Sequence, residues 1–137
     1  MVNILLVDDD DAARELVCRG LKKAGATFPV TPAEDGREAL EILRGVSPAR
    51  HIDTPLVVLL DLNMPRMNGF EFLRELHGDT DLRNTPVFVL TSSDADIDRK
   101  RACDSGCVSG YMVKSQVGPQ YSKLAAFLTG YADAMMN

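Results

Sequence analysis

The sequence lacks an apolar run long enough to cross a membrane. Its N-terminus, MVNILLVDDDD, has no basic segment, and its apolar residues stop at Asp8. Neither a secretory signal peptide nor a membrane span is predicted there. We therefore expect a cytoplasmic protein that has no membrane partner.

Basic residues and cysteines are scarce as well. The chain has 15 Lys and Arg against 20 Asp and Glu, a formal net charge of -5. Because binding DNA or RNA requires clustered Lys and Arg against phosphates, we expect no nucleic acid partner. The three cysteines, Cys18, Cys103 and Cys107, have no nearby histidine or further cysteine to complete a zinc site. We interpret them as small buried side chains or free thiols.

The length and hydrophobic content are those of one ordinary domain. The chain has 137 residues, of which 45% are hydrophobic, and this is enough for a single core. We expect one domain over residues 1–137, with no output domain after it.

Short apolar runs alternate along the chain with amphipathic segments. The predicted strands are residues 3–7, 28–31, 56–60, 87–90 and 110–113, and the predicted helices are 11–24, 37–44, 70–77, 94–104 and a last one beginning near Pro119. The first helix should place Leu16, Val17, Leu21 and Ala24 on one apolar face. Strict alternation predicts an α/β fold, a doubly wound parallel sheet of five strands with helices on both faces. Residues 45–55 (GVSPARHIDTP) should form a long loop.

Distinctive polar residues follow several of the predicted strands. In open α/β sheets the ligand lies beyond the carboxyl ends of the strands, where the winding direction reverses. Asp8 and Asp9 follow the first strand and Asp61 the third, while Thr91 and Lys114 follow the fourth and fifth. Three carboxylates at one edge would repel one another, so a cation is needed to hold them. A small carboxylate cluster suits Mg2+.

The stretch LVVLLDLNMPRMNG joins the third strand to a loop. Its apolar run would anchor Asp61 rigidly, and the loop can turn a backbone carbonyl, that of Asn63, toward the metal. Beside Mg2+, one carboxylate can act as a nucleophile on phosphorus and form an aspartyl phosphate. Lys114 and Thr91 would then neutralise and hydrogen-bond the transferred oxygens.

Four segments together resemble the receiver domain of response regulators, the phosphoacceptor of two-component signalling, over nearly the full chain. They are VDDDD, LLDLNMPRMNGFEFL, VLTSSD and GYMVK. The resemblance implies the flavodoxin-like strand order 2-1-3-4-5, Mg2+ as the cofactor, and a sensor histidine kinase or histidine phosphotransfer protein as the phosphoryl donor. It implies a signalling module that catalyses its own phosphorylation and dephosphorylation, not an enzyme acting on other substrates.

The resemblance also assigns roles to single residues. Asp61 would be the phosphoacceptor and also a ligand of Mg2+. Asp9 would bind Mg2+ directly and Asp8 directly or through water, while Asn63 would contribute its backbone carbonyl. Lys114 would pair with the phosphoryl group.

Further positions match the family's switch. Thr91 would bond a phosphoryl oxygen, and Tyr111 would change rotamer with it. Asn63 and Ser93 match positions that tune dephosphorylation. The signal would leave through the surface of the fourth helix, fifth strand and fifth helix, toward a downstream protein or a second copy of the chain.

Two features depart from many receivers. Lys114 is followed by Ser115 and not by proline, and a cis peptide before a non-proline residue costs about 2.5 to 4 kcal/mol, so we predict a trans bond. The second departure is the long loop at residues 45–55. Both are similar to single-domain receivers that serve phytochrome-type and other hybrid sensor kinases.

Simpler alternatives stand beside these assignments. Residues 8–11 could be an acidic cap on the first helix, which is our interpretation of Asp10 and Asp11. Thr91 alone would be an N-cap or strand residue, and Tyr111 an ordinary strand aromatic. Two other functions are a receiver-like binding module that is never phosphorylated and a Mg2+-dependent phosphohydrolase. The latter typically has a D-x-D pattern and a cap over the substrate, and DLN at Asp61 lacks the second acid.

Overall fold

The computed structural model describes residues 2–25, 28–46, 52, 56–62, 67–91, 100, 108–113 and 121–136. Strands and helices alternate along these residues. The strands are β1 (Asn3–Val7), β2 (Val30–Ala33), β3 (Leu56–Leu60), β4 (Val87–Thr91) and β5 (Val108–Val113), and the helices are α1 (Asp11–Lys23), α2 (Gly36–Leu43), α3 (Gly69–Gly78) and α4 (Tyr121–Met136).

The five strands form one parallel sheet in the order β2-β1-β3-β4-β5. This confirms the predicted α/β class and the strand order. In this order β1 and β3, which are followed by the predicted acidic residues, are neighbours in the middle of the sheet. None of the helices in the described residues is long and apolar enough to cross a membrane.

Helices cover both faces of the sheet, and each face has its own buried cluster. Side chains alternate across a strand, so successive residues of β1 and β3 enter opposite clusters. Leu5, Val7, Val58 and Leu60 pack with α2 and α3, whereas Ile4, Leu6, Val57 and Leu59 pack with α1 and α4. A continuous apolar run is therefore required in these strands, because both faces are buried.

Three elements differ from the sequence prediction by more than one residue or in their buried face; one of them, β5, begins at Val108 and not at residue 110. The second strand was expected at residues 28–31 but lies at Val30–Ala33, so that it includes Pro32. β2 is an edge strand, where a residue without an N–H is tolerated. In α1, Leu16 is 63% exposed, because the buried face is set by Val17 and Leu21 and Leu16 is rotated about 100° from Val17. Ala24 is exposed as well, because the helix ends at Lys23 and Ala24 is its C-cap.

Other predictions concern segments that are described only in part. Of the predicted helix at 94–104, Lys100 alone is described, and it is helical and exposed. In the predicted loop at 45–55, Ile52 packs against the α2–α3 side of the core. Cys18 is a free, half-buried thiol, as expected, and burial raises its pKa. Cys103, Cys107 and the peptide between residues 114 and 115 lie outside the described residues.

A charged contact joins the ends of α2 and α3. The Arg44 guanidinium lies 3.2 Å from the Asp79 carboxylate and 3.6 Å from that of Glu75. A hydrogen bond from the backbone N–H of Asp81, and then the contact with Arg44, hold the pKa of the Asp79 carboxyl below its ordinary value. This contact fastens the C-terminal ends of α2 and α3 to each other.

Candidate functional site

The carboxyl ends of β1 and β3 bring three aspartates together. The backbone N–H of Asp61 donates to the carbonyl of Val7 (2.9 Å), so the two strand ends are level. Oxygens of Asp8, Asp9 and Asp61 all lie within 4.8 Å of one another. The gathering predicted from the sequence is confirmed, and it follows from the parallel arrangement of two neighbouring strands.

The three carboxylates differ in exposure. Asp8 is 2% exposed and Asp61 5%, whereas Asp9 is exposed. Burying a carboxylate is costly unless it is paired or binds a metal. A cluster of hard oxygen donors with one side open to water fits Mg2+ or a similar cation.

Asp10 has a separate role at the start of α1. Its side chain accepts hydrogen bonds from the backbone N–H groups of Ala12 (2.9 Å) and Ala13 (3.3 Å). It is therefore the N-cap, as the sequence indicated. Its own N–H donates to the Asp8 carboxylate (3.0 Å), and the cap of α1 is thus joined directly to the acid cluster.

The loop after Asp61 is closed by contacts that the sequence analysis did not predict. The N–H of Gly69 donates to the carbonyl of Leu62 (3.0 Å), and Asn68 forms a capping box with Glu71. A Cβ on Gly69 would lie 2.7 Å from the Asp61 carbonyl oxygen. The N-terminus of α3 therefore presses directly on the backbone that carries Asp61. The signal that could have revealed this is the Asn-Gly pair before an apolar helix with Glu71 three residues after the cap.

A second contact ties the same loop to α2. The N–H of Gly36 donates to the carbonyl of Met67 (3.2 Å), and a Cβ on Gly36 would lie 2.9 Å from Cβ of Phe72. Asp35, which is 1% exposed, caps α2 by accepting from the N–H of Glu38 (2.9 Å). The described ends of this loop, Leu62 and Met67, are thus held by the first residues of α3 and α2.

The remaining predicted residues are placed only in part. Thr91 is the last residue of β4 and pairs with Val113 of β5, so its predicted place at a strand end is confirmed. Tyr111 lies within β5 and pairs with Val89. The structure describes the backbone and not the side chain at positions 91 and 111. Asn63, Ser93 and Lys114 lie outside the described residues.

Comparison with known proteins decides the family. The sequence model of the response regulator receiver domain matches residues 4–121. The chain belongs to the response regulator receiver family. Phosphorylation and Mg2+ binding are typical of receiver domains, and the acid cluster at the ends of β1 and β3 is compatible with both.

Curated relatives and solved structures agree with this receiver assignment. The response regulator MprA of Mycolicibacterium vanbaalenii is 40% identical over 105 residues; the match covers 77% of this chain and 41% of MprA. This receiver domain thus spans less than half of that relative.

Two solved structures share the receiver fold over most of their length. The phosphorylated cyanobacterial phytochrome response regulator RcpA superposes with a TM-score of 0.77 at 31% identity, covering 92% of this chain and 89% of RcpA. The Mn2+-bound form of response regulator Rcp1 superposes with a TM-score of 0.75 at 32% identity, covering 90% and 88%. The expected similarity to phytochrome response regulators is confirmed.

Proposed function

We propose that this receiver domain accepts a phosphoryl group on Asp61 from a phosphohistidine of a sensor histidine kinase or a phosphotransfer protein. The observation that carries the proposal is the cluster of Asp8, Asp9 and Asp61, with carboxylate oxygens within 4.8 Å at the carboxyl ends of two central strands. Receiver domains interact with such donors as a family. The identity of the donor that serves this chain is part of the proposal.

The cluster would hold Mg2+ through Asp9 and Asp61 directly, through Asp8 directly or by way of water, and through the backbone carbonyl of Asn63. When bound, the cation would neutralise charge on the transferring phosphoryl oxygens. Two observations support this assignment: all three carboxylates offer hard oxygen donors, and the exposed Asp9 leaves one side of the cluster open to water.

In the transfer, a carboxylate oxygen of Asp61 attacks phosphorus. The bond between phosphorus and the donor imidazole nitrogen breaks, and the nitrogen keeps its electron pair. Asp61 is suited to attack because its backbone is fixed to β1 and pressed by Gly69, so little motion is needed to orient it. Dephosphorylation is a separate reaction, in which water attacks phosphorus, the bond between phosphorus and the Asp61 oxygen breaks, and the free carboxylate and inorganic phosphate are released. We propose that the domain catalyses only these reactions of its own carboxylate.

The resemblance supports roles for residues at the neighbouring strand ends. We propose that Lys114, next in the chain after β5, pairs with the phosphoryl group and that Thr91 bonds one of its oxygens. Tyr111 would follow Thr91 in the switch. Asn63 and Ser93 would tune the rate of dephosphorylation.

The output of the switch would be a surface formed by the predicted helix at 94–104, β5 and α4. Phosphorylation would shift the population of two states of this surface. The proposed target of the signal is a downstream protein or a second copy of the chain, and we propose that this exchange takes place in the cytoplasm.

Mg2+ should stabilise the folded chain, because the bound cation relieves the repulsion among the three carboxylates. At ten times its dissociation constant, Mg2+ should raise the free energy of unfolding by about 1.4 kcal/mol. Asp9→Asn should lose most of that gain, yet be more stable than the parent without metal at low salt, since one repelling carboxylate is gone. Calorimetric unfolding with and without Mg2+ measures both effects.

The control variant is Asp81→Asn, which removes the same charge from an exposed turn remote from the cluster. It should respond to Mg2+ as the parent does. An equal Mg2+ response in Asp9→Asn and the parent would count against Asp9 as a ligand.

The test of the proposed function is the intact mass of the parent chain after incubation with acetyl phosphate. With Mg2+ present, the chain should gain one phosphoryl group, and hydroxylamine should remove it because an acyl phosphate is cleaved by that nucleophile. With a chelator in place of Mg2+, the gain should be lost or much slower.

The same experiment separates the alternatives. Absence of any gain, from acetyl phosphate and from a phosphorylated histidine phosphotransfer domain, would indicate a binding module that is never phosphorylated. Steady release of phosphate from a simple ester such as p-nitrophenyl phosphate would indicate a phosphohydrolase.

A further inference from the structure

We infer that Arg14 is a positioning residue of the acid cluster, which fixes the peptide between Asp8 and Asp9. From the first turn of α1, one guanidinium nitrogen (Nη1) donates to the backbone carbonyl of Asp8, and Nη2 donates to the carboxylate of Asp11. The Arg14 side chain is only 14% exposed, although its partner Asp11 is 90% exposed. The guanidinium is thus drawn inward, toward the end of β1.

The contact acts on a particular part of the cluster. The backbone N–H of Asp8 is held by the carbonyl of Ala33 of β2 (3.0 Å), and its carboxylate accepts from the N–H of Asp10 (3.0 Å). The carbonyl that Arg14 holds belongs to the next peptide, which leads to Asp9. Asp9 lies beyond β1 and is exposed, so the orientation of this peptide determines where its carboxylate points.

An arginine suits this place for a geometric reason. Its planar guanidinium presents several donors in a fixed fork, so it reaches the Asp8 carbonyl and the Asp11 carboxylate at once and bridges the end of β1 to the first turn of α1. A lysine has a single ammonium group on a flexible stem, and it is expected to satisfy one of these acceptors and not both in the same geometry.

A purely electrostatic role and an orienting role of Arg14 predict opposite changes in metal affinity when the side chain is removed. A positive charge beside three carboxylates opposes a bound cation, so its removal should tighten metal binding if charge alone matters. If Arg14 orients Asp9, its removal should weaken binding instead. This inference rests on the proposed function, because it takes Asp9 to be a metal ligand.

The test is the dissociation constant of Mn2+, measured by electron paramagnetic resonance of the free ion. We expect Arg14→Gln to weaken binding about tenfold, the order found when a residue that orients a metal ligand is removed. Arg14→Lys should weaken Mn2+ binding nearly as much, because lysine keeps the positive charge but cannot reach both acceptors at once. Unchanged or tighter binding by Arg14→Gln overturns the inference.

The matched control is Arg19→Gln on the same helix. Arg19 forms an exposed pair with Glu15 (2.7 Å), so this variant removes an equal charge without touching the end of β1. It should bind Mn2+ as the parent does, and a loss as large as that of Arg14→Gln would overturn the inference.

A second readout needs no metal. In the metal-free chain, the amide hydrogen of Asp9 should exchange faster in Arg14→Gln than in the parent, while amides within β1 keep the parent rate. Equal exchange at Asp9 overturns the inference.

Asp11→Asn covers the case in which the Arg14 variants fail to fold, because it changes an exposed side chain and frees one arm of the fork. It should weaken Mn2+ binding more than Glu15→Gln does, and equal affinities for the two overturn the inference. A parent chain that does not bind Mn2+ at all overturns the proposed metal site together with this inference, whereas a binding parent with unaffected variants overturns the inference alone.

Discussion

Asp61→Asn should abolish phosphoryl uptake while leaving the fold intact. The amide is nearly isosteric with the carboxylate, so the core around the end of β3 is retained. It is a poor nucleophile toward phosphorus because its oxygen carries no full negative charge. After incubation with Mg2+ and acetyl phosphate, the intact mass of the variant should stay unchanged where the parent gains one phosphoryl group.

The burial of Asp61 and its fixed backbone support this expected loss of phosphorylation. Asp61 is 5% exposed, its N–H is held by Val7, and it is the buried acid at the end of β3. Asp81→Asn is the matched variant, since it makes the same chemical change at an exposed carboxylate in the turn after α3. It should be phosphorylated as the parent is. A full phosphoryl gain in Asp61→Asn would place the acceptor elsewhere in the chain.

The sheet and the acid cluster could be predicted because both follow from pattern and topology. The run Leu56–Leu60 is apolar at every position, and its observed bounds equal the predicted ones. Once β1 and β3 are parallel neighbours, residues directly after them must meet at one edge. Asp8, Asp9 and Asp61 therefore come together without any side-chain detail being known.

Features that depend on side-chain reach or close backbone approach could not be predicted in this way. The extension of β2 through Pro32 was not predicted, and the edge position of β2 shows why a proline is tolerated there. Arg14 looked like an ordinary helix residue, since periodicity says nothing of a guanidinium that returns to the Asp8 carbonyl. Gly69 looked like a loop residue, and only the structure shows that a side chain there would lie too close to the backbone of Asp61 and Leu62.

Gly69→Ala should destabilise the chain and impair the acid cluster, because there is no room for a Cβ at this position. A Cβ at position 69 would lie 2.7 Å from both the Asp61 carbonyl oxygen and Cα of Leu62, and 2.8 Å from Cδ2 of Leu62. Two of these atoms are backbone, so the obstruction cannot be relieved by a rotamer change. Overpacking of this kind costs about 1–3 kcal/mol, occasionally more. Urea unfolding should show a midpoint lowered accordingly.

The same substitution at the other end of α3 is the control. A Cβ on Gly78 would meet nothing within 4 Å, and alanine is the better helix former, so Gly78→Ala should lose no stability and is expected to gain up to about 1 kcal/mol. The two variants are therefore expected to change the free energy of unfolding in opposite directions, although both replace a glycine of α3 by alanine.

The consequence for the site separates this effect from general instability. To admit the methyl group, the backbone of Asp61 and Leu62 must move away from α3, and the Asp61 carboxylate moves with it. Gly69→Ala should then take up phosphoryl groups from acetyl phosphate more slowly than Gly78→Ala, under conditions where both are folded. Equal rates in the two variants would mean that the approach of α3 does not set the position of the acceptor, and that the acid cluster is held by the ends of β1 and β3 alone.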